Sequence, residues 1–371
     1  MREFLYNVAT DRYNGPAAGL FKCALFLLSL VYGLVIRFLI GIYAIRRAKA
    51  DCVCISVGNI TLGGTGKTCL VEYIARYLSE RGHKVAVLSR GYKLGAAKPQ
   101  SSSTKIGGPA KIFGGHKVAS SIVGDEPLML QQNLSGVPVI VDADRLRGID
   151  KAIKDHSADT VILDDGFQQW KIRKDLDIVA IDCTNPFGNR HMMPRGILRE
   201  PLSSLKRADV LVLTKTNLTH KTQGIKKSLA GINPGALIIE SVHRAQGLYP
   251  WGEAGKMTSV SVLKEKNVCL FSGIADPDSF QNTMEGLGAN IVFSYRFPDH
   301  YEYLAQDLEN LAGEAERKKA DMIVTTEKDA ARIAQSGIGV SVKNLFILKI
   351  GIEFTEKRDS FHDRLSGLYH T

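Results

Sequence analysis

A glycine-rich segment, "SVGNITLGGTGKT" at residues 56–68, holds the side chains of this chain that are best suited to chemistry on a phosphate. A P-loop presents backbone N–H groups to phosphate oxygens at a helix N-terminus, where the helix dipole also favours negative charge. In such a loop Lys67 would reach the β- and γ-phosphates, and the Thr68 hydroxyl would bind Mg²⁺. The usual spacing asks for glycine at position 61, which is threonine here, so an ordinary glycine-rich turn is the alternative. We predict nucleotide binding by Thr61, Gly63, Gly64, Thr65, Gly66, Lys67 and Thr68.

A second stretch, "TVILDDGFQQ" at 160–169, ends an apolar strand in two aspartates. A P-loop enzyme needs a strand-end carboxylate to hold its magnesium ion. Asp164 and Asp165 are adjacent, and neighbouring side chains on a strand point to opposite faces, so one of them can face the metal. We predict Thr68, Asp164 and Asp165 as metal ligands, the alternative being ordinary strand-end aspartates.

A phosphoryl transfer to an alcohol also needs a group that accepts the proton of the hydroxyl. The turn "VGDEP" at 123–127 offers Asp125 and Glu126, and "RFPDHYEY" at 296–303 offers His300. A carboxylate from one domain and a histidine from the other would form a base and its orienting partner. Arg199 and Glu200 precede a helix, where a solvated helix cap is the alternative.

Several apolar runs that end in a polar residue indicate a parallel sheet buried on both faces. The order strand, loop, helix, strand after residue 52 is a βαβ unit, and ligands bind beyond the carboxyl ends of such strands. The predicted fold is a P-loop NTPase-like α/β sheet with helices on both faces, a second smaller α/β domain and an N-terminal membrane-interface helix. Strand ends expected near one site region carry Arg90, Asp142, Asp164, Asp165, Asp182 and Lys215.

The predicted organisation has five parts. They are an N-terminal membrane-associated helix and basic elbow (1–50), a P-loop core domain (51–236), two segments between the domains (237–251 and 344–354), a smaller α/β domain (252–343) and a C-terminal tail (355–371). Residues 98–121, rich in Gly, Ser and Lys, are expected to form a hairpin over the site or a plain surface loop.

The N-terminus indicates attachment to a lipid surface. The chain has 371 residues and a net charge of +10, and its first 50 residues hold seven Lys and Arg against two acidic residues. These charges surround an uncharged apolar run from Cys23 to Ile36, which is shorter than the roughly 20 residues that a spanning helix needs. We predict a helix lying in the membrane interface with its basic residues on anionic headgroups; a buried core helix and a true span are the alternatives. The six cysteines show no metal-binding spacing and indicate reduced thiols in a cytoplasmic protein.

Taken in order, the motifs resemble one family, the tetraacyldisaccharide 4'-kinases of lipid A synthesis. The matching stretches are "VGNITLGGTGKT", "LSRGY", "VGDEP", "DDGFQ", "RKDLDIV", "LREP", "FSGIADPDSF", "FPDHY" and "TTEKDA". The resemblance implies ATP- and Mg²⁺-dependent phosphorylation of the 4'-hydroxyl of a lipid disaccharide on the cytoplasmic face of the inner membrane. It implies a monomer that binds no nucleic acid, with two α/β domains joined by a two-stranded linker (237–251 and 344–354) and the nucleotide lying between them.

The resemblance also implies roles for individual residues. Asp125 would be the base and His300 its partner, engaging when the domains close, with Lys67 acting on the phosphates. Residues implied to contact or support the substrate are Arg90, Glu126, Arg199, Glu200 and Gln168. The chain departs from the family pattern at Cys69, Gln169, Arg190 and His191, and the last three bear on the acyl pattern or the sugar of the acceptor.

Two other protein classes are alternatives. A dimeric partition or metal-insertion ATPase would carry an extra lysine before the paired glycines, and Leu62 stands there. A membrane-recruited GTP switch would have aspartate where "LTKTN" at 213–217 ends in Asn217.

Overall fold

The computed structural model describes residues 11, 16–90, 111–113, 116–118, 124–340 and 342–369, without the side chains of 16–18 and 111–118. The chain divides into two compact units. The first contains Met1–Leu88, Asp144–His243 and Ile352–Thr371, and the second contains Ser89–Ala143 and Arg244–Gly351.

The strands, in chain order, are β1 Val53–Gly58, β2 Val85–Ser89, β3 Lys111–Phe113, β4 His116–Val118, β5 Val139–Val141, β6 Thr160–Asp164, β7 Leu176–Asp182, β8 Val210–Thr214, β9 Leu237–Pro250, β10 Asn267–Ser272, β11 Asn290–Arg296, β12 Met322–Thr326 and β13 Leu345–Phe354. The α-helices are α1 Pro16–Ile45, α2 Lys67–Ser79, α3 Asp125–Asn133, α4 Arg145–His156, α5 Thr222–Ile232, α6 Pro277–Gly286, α7 Ala305–Arg317, α8 Glu327–Ser336 and α9 Arg358–Ser366.

The first unit is built on a parallel sheet. Its strands follow the order β9–β8–β7–β1–β6–β2, and every neighbouring pair is parallel. β2, β6 and β8 are buried along their whole length, as continuous apolar runs in a parallel sheet predict. The carboxyl ends of β1 and β6 therefore bring the glycine-rich loop and the aspartate pair to the same edge of the sheet.

Helix α2 follows the loop directly, and its buried face has the spacing of an α-helix. Its residues at spacings of three and four (Leu70, Val71, Ile74, Ala75 and Leu78) have no exposed surface. Gly82, just beyond the helix, has a φ of 89°, a left-handed conformation that glycine adopts without a steric cost.

The N-terminal helix α1 is longer than its uncharged run predicts. It has 30 residues, and Arg37 lies inside it. The charge does not end the helix because arginine is a good helix former and its side chain is exposed here. The most apolar 18-residue window within Gly19–Ile45 has a mean hydropathy of 2.4, and this helix is long and apolar enough to cross a membrane, although only 22% of that window is buried.

One face of α1 packs on the protein and the rest is exposed. Tyr32, Ile36 and Ile40 pack into a core cluster with Ile60 and Met192, whereas Leu34 is 67% exposed and Phe38 68%. A buried core helix would be covered on most sides, so that alternative for the N-terminal segment is wrong. Exposed apolar surface of this extent is typical of a site that contacts a membrane or another protein.

The second unit has its own parallel sheet, in the order β11–β10–β12–β13. The last part of β9 lies next to β13 and runs antiparallel to it, since the Trp251 N–H donates to the Leu345 carbonyl. Helices α3 and α8 pack together through Leu128, Ala331 and Ala334.

The two units differ from the predicted domains, and the predicted linker segments 237–251 and 344–354 are divided between them. Residues 89–143, expected in the P-loop core, belong to the second unit, because the apolar side of α3 packs on α8. Of the hairpin expected at 98–121, the described part is the antiparallel pair of β3 and β4; its remaining residues lie outside the described ones.

Candidate active site

The glycine-rich loop joins β1 to α2, and buried hydrogen bonds fix its conformation. The Asn59 side chain donates to Thr65 Oγ1 (3.1 Å), and the Thr214 hydroxyl donates to the Thr65 carbonyl (3.0 Å). Gly66, the residue before α2, has a φ of 79°. This left-handed turn directs the chain into the helix, so that the first N–H groups of α2 remain available to an anion.

His243 lies directly against this turn. A Cβ built on Gly66 would overlap the His243 ring, and His243 Nε2 is buried with no hydrogen-bond partner among the described residues. Burial, with a contribution from Lys215, lowers the pKa of His243 to about 4. The ring is therefore neutral at pH 7 and acts as a packing surface for the loop.

Lys67 and Arg199 converge on Asp165. Lys67 Nζ lies 3.4 Å from Asp165 Oδ1, and Arg199 Nη1 donates to both carboxylate oxygens at 2.8 and 3.0 Å. Burial alone would raise the pKa of Asp165, but the two cations outweigh it and lower the pKa to about 2. Arg199 Nη1 also donates to Asn59 Oδ1 (3.1 Å), which ties the cluster to the loop.

The second aspartate, Asp164, is buried at the end of β6, and its carbonyl accepts a hydrogen bond from Arg145 Nη2 (3.1 Å). Thr68, the second residue of α2, is 7% exposed. Within the residues that the structure describes, no group of three or more His, Cys, Asp or Glu side chains could hold a metal ion by itself.

Glu200 and Gln168, predicted to support the substrate, take part in a buried network. Glu200 has no exposed surface and accepts from Gln168 Nε2 (3.0 Å), Trp170 Nε1 (3.0 Å) and Arg207 Nη2 (2.9 Å). Gln168 Nε2 also donates to the Asn59 carbonyl (3.0 Å). Glu200 is paired throughout in this network, whereas Gln168 Oε1 is buried with no hydrogen-bond partner among the described residues.

The helix α1 contacts the same region. The Tyr32 hydroxyl donates to the Arg199 carbonyl (3.0 Å), and Phe26 meets His191 edge to face, with ring centroids 5.4 Å apart. His191, one of the departures from the family pattern, thus packs on the apolar helix. Among the other strand-end residues, Lys215 pairs with Asp182 (2.7 Å), while Arg90 and Asp142 fall in the second unit.

The second unit brings Asp125 and His300 together. His300 Nδ1 lies 3.6 Å from Asp125 Oδ2, and both residues belong to this one unit. The expectation that they come from different domains and meet on domain closure therefore differs from the structure, because α3 packs within the second unit. The interaction with Asp125 raises the pKa of His300 despite its partial burial.

Sequence reasoning missed the strongest partner of Asp125. Arg332 on α8 donates to Asp125 Oδ2 through Nε (2.8 Å), and its Nη2 lies 2.7 Å from the same oxygen. Glu126, the neighbouring acid, is paired with Lys328 of the same helix. The sequence shows only that Arg332 follows Asp329 of the "TTEKDA" motif by three residues, which on a helix places both on one face; it does not show that this face meets Asp125.

A substitution at Gly66 tests the loop geometry. We expect Gly66→Ala to weaken nucleoside triphosphate binding by about tenfold or more, because a left-handed conformation costs an alanine roughly 1–2 kcal/mol and its Cβ would displace His243. The matched control is Gly224→Ala in α5 of the same unit, whose Cβ would meet nothing within 4 Å. Isothermal titration calorimetry on both variants measures the difference, and equal affinities would contradict this account of the loop.

A parallel sheet with this loop, a lysine at its end and a strand-end aspartate defines a P-loop nucleotide-binding protein. Comparison with known proteins narrows the class. The family model described as Tetraacyldisaccharide-1-P 4'-kinase matches residues 21–369. The curated tetraacyldisaccharide 4'-kinase of Halothermothrix orenii is 35% identical over 93% of this chain and 92% of its own. That of Desulfatibacillum aliphaticivorans is 34% identical over 99% of this chain and 98% of its own.

A solved structure agrees with these relatives. The apo form of LpxK from Aquifex aeolicus in complex with ATP superposes with a TM-score of 0.70 and 28% identity, covering 94% of this chain and 99% of that one. The chain belongs to the tetraacyldisaccharide-1-P 4'-kinase family. It is an enzyme, a kinase of lipid A biosynthesis, and the predicted family and fold class are confirmed. The partition ATPase and GTP-switch alternatives are not favoured.

Proposed function

We propose that this enzyme transfers the γ-phosphate of ATP to the 4'-hydroxyl of a tetraacylated glucosamine disaccharide 1-phosphate. The observation that carries the proposal is the convergence of Lys67 and Arg199 on Asp165 beside the closed glycine-rich loop. Two cations at the end of a P-loop can neutralise the charge that spreads over phosphate oxygens during transfer. The identity of the acceptor rests on the family to which the chain belongs.

A magnesium ion fits this site. Mg²⁺ is usually bound through one or two carboxylates together with substrate phosphates and water, not by a complete protein cage. The Thr68 hydroxyl and the carboxylate of Asp165 or Asp164 would hold it, and Asp165 is ionised at neutral pH because its pKa is lowered to about 2. The ion would neutralise charge on the phosphates. Lys67 and Arg199 position the same groups.

Asp125 is the proposed acceptor of the proton of the 4'-hydroxyl. Phosphoryl transfer has a loose transition state, so orienting the hydroxyl matters more than removing its proton early. A buried, ionised carboxylate whose other contacts are fixed is suited to that task. His300, at 3.6 Å from Asp125, is the proposed orienting partner.

The location of the enzyme follows from α1. We propose that it lies on the cytoplasmic face of the inner membrane, with α1 in the interface and not across the bilayer. The support is the packed face of the helix, where Tyr32, Ile36 and Ile40 contact the protein core. Because these turns of α1 pack against the rest of the protein, the same turns cannot be surrounded by the lipid of a bilayer. The lipid acceptor would then be reached at the membrane surface.

The test of the proposed reaction is a product assay. Purified full-length protein is incubated with ATP, Mg²⁺ and a tetraacyldisaccharide 1-phosphate in mixed micelles, and the lipid product is analysed by mass spectrometry. We expect an acceptor-dependent gain of one phosphate on the lipid. ATP hydrolysis that proceeds equally without the acceptor, and no phosphorylated lipid, would overturn the proposal and favour an ATPase.

Membrane binding gives a second measurable expectation. Binding of the full-length protein to anionic vesicles should weaken as salt is added, because charges on a surface are screened within about 8 Å at physiological ionic strength. Replacing Arg46, Arg47 and Lys49 by glutamine should reduce both the binding and its salt dependence, since each basic residue near such a surface contributes about 1 kcal/mol. Vesicle co-sedimentation measures both. Resistance to salt and to alkaline extraction would contradict the interfacial placement.

A further inference from the structure

One arginine of the second unit connects all the segments around Asp125. Arg332 is 9% exposed and donates to Asp125 at the start of α3, to Asp329 Oδ1 (3.1 Å) on its own helix, and to the Gly273 carbonyl after β10. Its Nη2 also lies 3.5 Å from His300 Nδ1. A single planar guanidinium therefore contacts four separate pieces of chain.

The arginine is itself held in place. Asp329 has no exposed surface, and it accepts hydrogen bonds from the Tyr303 hydroxyl (2.9 Å), the Gly273 N–H (3.0 Å) and the Thr326 hydroxyl (2.7 Å). Arg332 thus points at Asp125 from a rigid base, because the rotamer of a side chain bonded at several donors is fixed by its partners. These contacts hold the Arg332 guanidinium more firmly than a single ion pair on the protein surface would.

The groups that face Asp125 are mainly positively charged. Arg332 and Lys328 of α8 face it, together with His300 of the loop after β11. Asp299 of that loop contacts Arg332 and His300, and Glu126 is paired with Lys328. Burial raises the pKa of Asp125, but His300, Arg332 and Lys328 outweigh it and hold the pKa far below its usual range. Arg332 acts on His300 in the opposite sense and lowers its pKa.

We propose that Arg332 is a positioning residue for phosphoryl transfer. It fixes the orientation of the Asp125 carboxylate, keeps that carboxylate ionised, and so acts on the reaction through the Asp125–His300 pair. This inference rests on the proposed role of Asp125. Of the two partners of Asp125, His300 is 43% exposed and is the adjustable one, whereas Arg332 is the fixed one. Arg332 uses one side of the carboxylate, and the second oxygen is left to meet the acceptor hydroxyl and the N–H of Glu126 (3.0 Å).

The ion pair with Arg332 keeps the Asp125 carboxylate ionised and at the same time makes it a weaker base. A carboxylate bonded twice to a guanidinium is a weaker base than a free one, but it is ionised at every pH at which the enzyme works. In a loose transition state the loss of basicity costs little, because the proton moves late. We therefore expect that the acid limb of the wild-type pH profile belongs to another group and not to the protonation of Asp125.

The first experiment compares Arg332→Gln, Arg332→Lys and the control Arg317→Gln, which removes an exposed arginine of α7 in the same unit. For Arg332→Gln we expect kcat to fall about tenfold or more with little change in KM, because the orientation of the Asp125 carboxylate matters in the transfer step and not in binding the acceptor. Arg332→Lys keeps a cation but not the fork, so kcat should fall there as well. A wild-type kcat in both variants, or a raised KM with an unchanged kcat, would overturn the proposal.

Folding and the underlying role of Asp125 are tested separately. If Arg332→Gln does not fold, Arg332→Gln with Asp329→Asn removes one buried charge as well and carries the same expectation. Titration of the His300 ring by NMR, assigned with His300→Ala, needs no substrate. We expect the pKa of His300 to rise in Arg332→Gln, and an unchanged value would overturn the inference. Wild-type turnover of Asp125→Asn would instead overturn the proposed function, whatever the His300 titration shows.

Discussion

Lys67→Ala should reduce kcat by at least about 10²-fold while leaving the protein folded. The expected size follows from the loss of one preorganised charge that faces the transferring phosphate, which typically costs 10²- to 10³-fold. Folding should survive because the Lys67–Asp165 contact is 3.4 Å long and Asp165 keeps its two bonds from Arg199. Steady-state kinetics with saturating ATP and lipid acceptor give kcat, and thermal unfolding reports on the fold.

The matched control is Lys226→Ala, another lysine of the first unit, which pairs with Glu240 and Glu356. Its removal should leave kcat within about twofold, since partly exposed ion pairs contribute only about 0–1 kcal/mol to stability. Normal turnover in a well-folded Lys67→Ala protein would remove the assignment of this loop as the phosphate-binding element.

Asp125→Asn should lower kcat by about 10²- to 10⁴-fold, the usual contribution of a positioned proton acceptor. The asparagine is nearly isosteric, so the contacts of Arg332 are weakened but not removed. The affinity for ATP should change little, because the loop residues that are proposed to bind phosphate belong to the first unit. Kinetics of the acceptor reaction and calorimetry with ATP separate the two effects.

The pairing with His300 is tested by a double-mutant cycle on kcat. His300→Ala should cost less than Asp125→Asn, because Arg332 still holds the carboxylate in place. The double variant should cost less than the product of the two single effects, since residues that act as a unit are not additive. Multiplicative effects would mean that the two residues act independently, and the proposed pair would have to be abandoned.

Much of the first unit could be predicted from local sequence. The loop at 58–68, the buried face of α2 and the aspartates after β6 depend on contacts close in the chain or on the regular geometry of a parallel sheet. Parallel strands align their carboxyl ends, so an apolar run that ends in aspartate beside a P-loop has only one edge of the sheet on which to lie. Arg199 was selected from its place before a helix and from the family resemblance, although its bonds to Asn59 and Asp165 required the fold.

The environment of Asp125 could not be predicted in this way. Its ion pair with Arg332 spans 207 positions of the chain, and nothing in the spacing of "VGDEP" and "TTEKDA" requires them to meet. The placement of 89–143 in the second unit is a consequence of the apolar contact between α3 and α8, which a single sequence does not reveal.

The N-terminal helix α1 likewise has some features that the sequence predicts and others that only the fold decides. Composition alone determined that this segment is apolar, basic at its ends and suited to a lipid surface. Only the tertiary structure decided which face is occupied, because the contacts of Tyr32 with the Arg199 carbonyl and of Phe26 with His191 join residues more than 160 positions apart. Local patterns determine the type of each element and the chemistry it carries, whereas the partner of a charged or apolar group depends on packing between segments that are distant in the chain.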